Sequence, residues 1–169
     1  MKVYIVWKTK YDETEESYIL GIYKKLSLAL KKCNDFNETF ITRKEIIKAG
    51  NDGLIGNFST VSSEDVCYCS TIDVNDDTDK VYFMNINESG GGGSYHGECW
   101  IHASTDKNFL INLATDYFSN EHNRDEECED CIKDGCKKKL IRNLKKENCA
   151  NFDCTDYADA SIMIWSVAI

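Results

Sequence analysis

The sequence contains no proline and is short of positive charge. Together with many Asn, Lys and Ile residues, the missing proline indicates an AT-rich coding sequence and carries no information about mechanism. The 169 residues hold 20 Lys and Arg against 29 Asp and Glu, a net charge of −9. Phosphate backbones and anionic membranes repel an acidic chain, so general nucleic-acid or membrane binding is disfavoured unless a local basic patch overrides the net charge.

Long apolar runs are also missing. No stretch approaches the roughly 20 residues of a membrane helix. The apolar run 3–7 is shorter than the roughly 7–15 residues of a signal-peptide core. The nine cysteines are an odd number and cannot all pair within the chain. We therefore expect a cytoplasmic protein in a reducing compartment.

Hydrophobic patterning predicts two units of the order β-β-α-β, at 1–76 and 77–169. In the first unit Val3, Ile5 and Trp7 alternate with Tyr4 and Val6, as in a strand. A second strand at 18–23, a helix at about 26–36 and a strand at 66–74 follow. Strands at 80–86 and 97–104, a helix after 104 and a final strand at 161–169 repeat this order, and residues 18–36 align with 99–117 without a gap.

The expected fold class is therefore α+β, with tandem β-β-α-β units forming antiparallel sheets and helices packed on one face. A right-handed crossover places the first strand of each unit between the second and third. We expect one compact domain with a Cys-rich, charged insertion at 122–155. The final strand is apolar on both faces, so we expect it to be buried on both sides, at the junction of the halves or in a homodimer contact.

Five side chains on the apolar faces of these elements are predicted to be nearly fully buried. They are Leu30, Phe36, Ile101, Leu110 and Trp165.

The two units resemble the short β-β-α-β proteins encoded by phages and large DNA viruses. The resemblance depends on Lys2–Lys8 with Tyr18–Phe36, and on Lys80–Ile86 with Cys99–Phe118. It implies a small accessory protein, in the host cytoplasm if viral, that acts on host components. It includes no catalytic motif and implies no functional residues.

The cysteines of the insertion have the spacing of a two-knuckle zinc site. The predicted ligands are Cys128, Cys131, Cys149 and Cys154, with Cys136 as a spare thiol and His122 as an outside candidate. A polar insertion has little apolar surface, so a bound metal would supply folding energy. The alternative is that these are reduced, unligated thiols.

Residues 137–146 form a basic helical segment with an apolar stripe of Leu140, Ile141 and Leu144. Its cations could bind an anion. They are Lys138, Lys139, Arg142, Lys145 and Lys146. The acidic run at 121–130 is the simpler partner, and charge compensation within the chain is the favoured interpretation.

No enzyme signature accompanies these patterns. The Gly-rich stretch 89–98 lacks the Gly-Lys-Ser/Thr ending of a phosphate-binding loop. Cys67 and Cys69 lie two apart on a strand, which is typical of small core residues. We predict no catalytic residue and no cofactor apart from structural zinc. The sequence favours a non-enzymatic protein that binds a protein partner or small ligand. The alternative is a zinc-stabilised nucleotide or nucleic-acid binder, and a third hypothesis is an enzyme whose site is assembled from scattered residues.

Overall fold

The computed structural model describes residues 1–9, 17–37, 42–57, 66–90, 99–122, 135–155 and 158–169. Within these ranges the strands are β1 (Lys2–Thr9), β2 (Ser17–Tyr23), β3 (Ile47–Lys48), β4 (Leu54–Asn57), β5 (Cys67–Asp73), β6 (Lys80–Gly90), β7 (Cys99–Ser104), β8 (Cys149–Thr155) and β9 (Ala158–Ala168). The α-helices are α1 (Leu26–Asn34), α2 (Lys107–His122) and α3 (Cys136–Lys146), and a 3₁₀ turn spans Arg43–Glu45. The mixed α+β class predicted from the sequence is confirmed.

The strands form two sheets. The four-stranded sheet has the order β2-β1-β5-β3 and the five-stranded sheet has the order β4-β7-β6-β9-β8. Every pairing is antiparallel apart from that of β3 with β5. β4 follows α1 in the chain but pairs with β7, so the predicted first unit supplies a strand to the second sheet.

The two sheets lie face to face, and helices cover their outer faces. The cluster between the sheets contains Val3, Ile5, Trp7, Ile55, Ile72, Val74, Val81, Phe83, Ile101 and Ala103. The cluster under α1 contains Val6, Ala29, Cys33, Cys67 and Cys69. The cluster under α2 and α3 contains Met84, Ile86, Leu110, Ile111, Ala114, Phe118, Leu140, Leu144, Ala150, Ile162 and Ile164. The order of layers is therefore helix, sheet, sheet, helix.

The period of two along β1 and β6 produces these layers. Successive strand side chains point to opposite faces of a sheet. Val3, Ile5 and Trp7 accordingly face the other sheet, whereas Val6 lies under α1, which confirms the predicted faces of β1. In β6, Phe83 faces inward and Met84 lies under the helices.

Both sheets contain the same local strand order. β1 lies between β2 and β5, and β6 lies between β7 and β9. α1 begins at Leu26 and α2 begins at Lys107, two positions that the gap-free alignment pairs. Additional elements interrupt the simple unit, because β3 and β4 precede β5 while α3 and β8 precede β9.

The core predictions had mixed outcomes. Ile101 and Leu110 have no exposed surface, which confirms them. Leu30 and Trp165 are half-buried. The prediction for Phe36 was wrong, because this side chain is 48% exposed. α1 ends at Asn34, so Phe36 no longer follows the helical period, and Lys32 Nζ lies 5.0 Å from its ring centroid.

The final strand is not buried on both faces. Ile162 and Ile164 are buried under the helices, but Met163 on the opposite face is 58% exposed. β9 pairs with β6 on one side and β8 on the other. It has no free edge for pairing with a second copy, so the predicted homodimer contact would have to use side chains such as Met163.

Part of the predicted insertion belongs to the fold. α3 buries Leu140 and Leu144, and β8 buries Ala150 while it extends the five-stranded sheet. The expectation that 122–155 has little apolar surface was therefore wrong for α3 and β8. Their folding energy comes from burial of apolar surface in the cluster under α2 and α3.

Gly56 of β4 faces Trp7 across the two sheets. A Cβ at this position would overlap the six-membered ring of Trp7. That ring cannot easily move, because Tyr68 stacks on it at a centroid distance of 4.5 Å. We expect Gly56→Ala to lower the free energy of unfolding by about 1–3 kcal/mol, measured by urea denaturation.

Gly50→Ala is the matched control, since the three atoms nearest to its added Cβ all belong to Asp52, an exposed residue. We expect a smaller loss for this variant. Combining Gly56→Ala with Trp7→Phe should recover part of the Gly56 penalty, because phenylalanine lacks the overlapping atoms. Equal losses at the two glycines would contradict the assigned contact.

Candidate functional site

α3 carries the largest concentration of positive charge that the sequence predicted. Gly135 precedes it in a left-handed conformation (φ 68°), and Asn148 follows it with φ 62°. One face of the helix buries Leu140 and Leu144. The side chain of Lys107, from α2, donates to the Asn148 Oδ1 atom at 2.5 Å and so fixes the end of α3.

The opposite face of α3 lines an open groove of about 520 Å³. The lining residues are Lys138, Ile141, Arg142, Lys145 and Lys146. Residues three, four and seven positions apart share one face of a helix. Lys138, Ile141, Arg142 and Lys145 have this spacing and therefore lie on the same face of α3. Four of the five predicted anion-binding cations thus line one groove; Lys139 is exposed but does not line it. Sequence reasoning placed Ile141 in the apolar stripe and missed its place in the groove.

The positive charges in the first turn of α3 do not stabilise the helix. Positive charge in the first turn opposes the helix macrodipole, yet Lys137, Lys138 and Lys139 occupy this turn and no acidic residue does. Lys137 Nζ donates to Ser119 Oγ at 3.0 Å. Within the described parts of the chain, no ion pair involves a cation of the groove. Among the described residues the cations of the groove therefore have no carboxylate partner; residues 123–130 of the acidic run lie outside the described residues, so charge compensation by that run stays the alternative.

The predicted zinc site lies partly outside the residues that the structure describes. Cys128 and Cys131 lie outside the described residues. Cys149 is an exposed free thiol, and Cys154 lies five residues further along β8.

The two reserve ligands lie on different helices. Cys136 is a half-buried free thiol in the first turn of α3, and His122 is the last residue of α2. Over the residues that the structure describes, no group of three or more His, Cys, Asp or Glu side chains is arranged to hold a metal ion. The four-cysteine zinc site stays a prediction.

A second chemically distinctive cluster lies under α1. Cys67 and Cys69 are buried, which confirms their prediction as core residues, and Cys33 of α1 meets them there. The signal for this meeting was present in the sequence, since Cys33 falls on the apolar face of the predicted helix. Sequence reasoning did not connect it with the strand.

The Asn37 side chain fixes this cluster from the end of α1. Its Oδ1 atom accepts from the Cys67 backbone N–H at 2.9 Å, and its Nδ2 atom donates to the Cys67 carbonyl at 2.7 Å. The same Nδ2 atom lies 3.7 Å from Cys33 Sγ. One amide therefore positions thiols from both α1 and β5.

His102 of β7 has a structural role. Its Nδ1 atom lies 3.3 Å from the carbonyl oxygen of Asp52, and burial lowers the pKa of the imidazole. The neutral ring donates from Nδ1 to that carbonyl. The bond joins β7 to the turn before β4, as does the bond from the Ala103 N–H to the Gly53 carbonyl at 2.9 Å.

Comparison with known proteins finds no relative of this chain. No family model matches it, and searches of curated proteins and of solved structures likewise find no match. Across the described residues, no helix has both the length and the apolar character needed to cross a membrane.

Proposed function

We propose that this is a non-enzymatic binding protein that holds an acidic segment of a partner protein against α3. The observation that carries the proposal is the open groove with Lys138, Arg142, Lys145 and Lys146 around Ile141. Lysine and arginine stems offer apolar surface beneath their charged ends. The groove thus suits a segment that alternates carboxylates with an apolar side chain.

The shape of the groove favours a macromolecular partner over a small ligand. Sites for small molecules bury about 70–90% of the ligand surface. This groove is open, and its described lining comes from one helix. Lys138 and Lys145 lie about 10 Å apart along the helix axis, since each residue rises about 1.5 Å. A partner segment with several carboxylates can reach both ends at once.

A nucleotide or nucleic acid is the second candidate. Arg142 and the lysines could hold phosphates as well as carboxylates, which favours this alternative. The net charge of −9 opposes it, because a long polyanion meets the field of the whole chain. A short acidic segment meets mainly the local field, since charges are screened beyond about 8–10 Å at physiological salt. Zinc would stabilise the fold in this second candidate only if the predicted cysteine site in the second half of the chain binds the ion.

The cellular setting is also a proposal. We place the protein in the cytoplasm, and in the host cytoplasm if it is of the viral accessory type that the sequence resembles. The cysteines that the structure describes as free thiols support a reducing compartment; they are Cys33, Cys67, Cys69, Cys136 and Cys149.

We further propose that the two halves arose by duplication of a β-β-α-β unit. The shared strand order, with β1 and β6 each in the middle of three, supports this origin. The paired helix starts at Leu26 and Lys107 support it as well. Superposition of residues 18–36 on 99–117 tests it, and a mismatch in the path of the chain between strand and helix would contradict it.

The binding proposal predicts a charge-specific loss. We expect the triple variant Lys138→Gln, Arg142→Gln, Lys145→Gln to bind a fluorescein-labelled Glu-rich peptide about tenfold more weakly than the original protein, since each exposed charge contact contributes up to about 1 kcal/mol. Fluorescence anisotropy titration at low and physiological salt measures the change. Glutamine retains helix propensity, so α3 should remain folded.

The matched control removes the same charge elsewhere. Lys24, Lys25 and Lys31 are exposed on or beside α1, and their triple change to Gln should leave peptide affinity within about twofold. Equal weakening in both triple variants would mean that net charge alone attracts the peptide, which contradicts a site on α3. Tighter, steeply salt-dependent binding of a single-stranded oligonucleotide would replace the acidic segment with the second candidate.

A further inference from the structure

The helix layer above the four-stranded sheet is held by small side chains and thiols. Ala29 and Cys33 are the buried residues of α1. Cys33 has no exposed surface and Cys67 of β5 is 1% exposed, and both belong to the buried cluster under α1. Asn37 Nδ2 lies 3.7 Å from Cys33 Sγ and donates to the Cys67 carbonyl at 2.7 Å. A helix and a strand distant in sequence therefore each place a buried thiol in the same cluster, beside one amide.

We propose that Cys33 and Cys67 are an oxidisable dithiol, which a hydroperoxide converts into a disulfide joining α1 to β5. Cys67 is the attacking thiolate and Cys33 is the resolving thiol. The site lies on the other side of the molecule's layers from the α3 groove, and it is independent of the binding function proposed above.

The surroundings distinguish the two sulfurs. The Cys33 thiol donates a hydrogen bond to Cys67, and the Lys32 and Lys8 cations add to this effect, so the pKa of Cys67 is lowered despite its burial. The pKa of Cys33 is raised by the same hydrogen bond and by burial. A thiolate is the nucleophilic form of cysteine, so the attacking role falls to Cys67.

Cys69 is a neighbouring buried thiol, and we assign it no part in forming the disulfide. It lies two residues from Cys67 on the same face of β5, and burial followed by the Cys67 charge raises its pKa to about 11. Asn37 binds the backbone of Cys67 and approaches Cys33 Sγ, but the structure gives it no bond to Cys69 among the described contacts. Cys69 therefore provides a matched control within the same cluster.

The reaction balances with a hydroperoxide as the oxidant. The Cys67 thiolate attacks the terminal peroxide oxygen, the O–O bond breaks, and Cys67 becomes a sulfenic acid while hydroxide or alkoxide leaves. The Cys33 sulfur then attacks the Cys67 sulfur and the S–O bond breaks. The Cys33 proton leaves with the hydroxyl group as water. Two thiols have lost two electrons, and the peroxide has gained them.

Burial restricts which oxidant can enter. Hydrogen peroxide is small, whereas a bulky disulfide would need α1 to separate widely from the sheet. Entry of the oxidant requires local opening of α1, a nine-residue helix with no side-chain hydrogen bond at its N-cap, Lys25. A disulfide would then hold α1 against β5.

The test treats the full-length protein with hydrogen peroxide, blocks remaining thiols with N-ethylmaleimide, and maps peptides by mass spectrometry. We expect a cross-linked peptide pair that contains Cys33 and Cys67 and is two hydrogens lighter than the separate peptides. Exposed Cys149 is the internal control for oxidant delivery. Oxidation of Cys149 while Cys33 and Cys67 both remain alkylated thiols would overturn the proposal.

Two variants assign the roles. Cys69→Ala should retain the cross-link, and Cys33→Ala should instead accumulate a sulfenic acid at Cys67 that dimedone traps. A sulfenic acid on Cys33 in a Cys67→Ala variant, with none on Cys67 in Cys33→Ala, would reverse the assigned roles and overturn the proposal. Circular dichroism checks that each variant folds, and the map of the unaltered protein remains decisive if one does not.

Discussion

Replacing Trp7 with alanine is expected to lower the free energy of unfolding by about 3–5 kcal/mol. Trp7 is 2% exposed and lies between the two sheets. Its ring stacks on Tyr68, and its Nε1–H donates to Ser70 Oγ at 2.7 Å. Alanine would leave a large cavity and remove this buried hydrogen bond. Urea denaturation followed by circular dichroism measures the loss without depending on tryptophan fluorescence.

Two further variants separate the contributions at this position. Trp7→Phe keeps an aromatic ring but removes the indole N–H, and the Ser70 hydroxyl can still donate to the Ile55 carbonyl at 2.9 Å. Its loss should therefore be smaller than that of Trp7→Ala. Trp100→Ala is the comparison for a half-buried tryptophan. If Trp7→Ala cost no more than Trp100→Ala, the layer between the sheets would not be the principal core.

Ile101→Ala and Leu110→Ala are each expected to cost about 2–5 kcal/mol. Both side chains have no exposed surface, but they belong to different layers. Ile101 lies between the sheets, and Leu110 lies between α2 and the five-stranded sheet. The cost in each case combines lost apolar burial with the cavity that remains. Chemical denaturation of each variant measures it.

Leu28→Ala is the matched control for these variants, because Leu28 is 50% exposed on α1. We expect its effect to remain within about 0.5 kcal/mol, as for other exposed substitutions. Separate layers predict nearly additive losses in the Ile101→Ala, Leu110→Ala double variant. Strong coupling, or a Leu28 effect as large as that of Leu110, would contradict the layer assignment.

Local periodicity accounts for the parts of the fold that the sequence predicted well. The alternation of Val3, Ile5 and Trp7 with Val6 identified both faces of β1, because neighbouring side chains on a strand must point in opposite directions. The apolar spacing of Leu140 and Leu144 likewise identified the buried face of α3. Such patterns depend on one element at a time.

The same reasoning failed where an element ended or a neighbour was missing. Phe36 continues the helical spacing in the sequence, but α1 stops at Asn34 and leaves the ring exposed. Met163 has the apolar character of a core strand residue, yet it is exposed on β9. Periodicity assigns a face to a side chain, and only packing decides whether another layer covers that face.

The candidate groove was partly predictable. The charges of Lys138, Arg142 and Lys145 and their helical spacing are local features, and they indicated the patch directly. That Ile141 would lie among them depended on how deeply α3 sits on its core. The predicted zinc site stays a prediction, because Cys128 and Cys131 lie outside the described residues.

The sequence by itself determined the α+β class, the faces of individual strands and helices, and the basic character of α3, because hydrophobic period and charge are properties of short segments. Only the tertiary structure decided that β4 joins β7 across the predicted unit boundary and that the two sheets stack with Trp7 against Gly56. It also decided that Cys33 meets Cys67 under α1. These contacts join residues distant in the chain, and shape complementarity between whole layers selects them, so no local pattern encodes them.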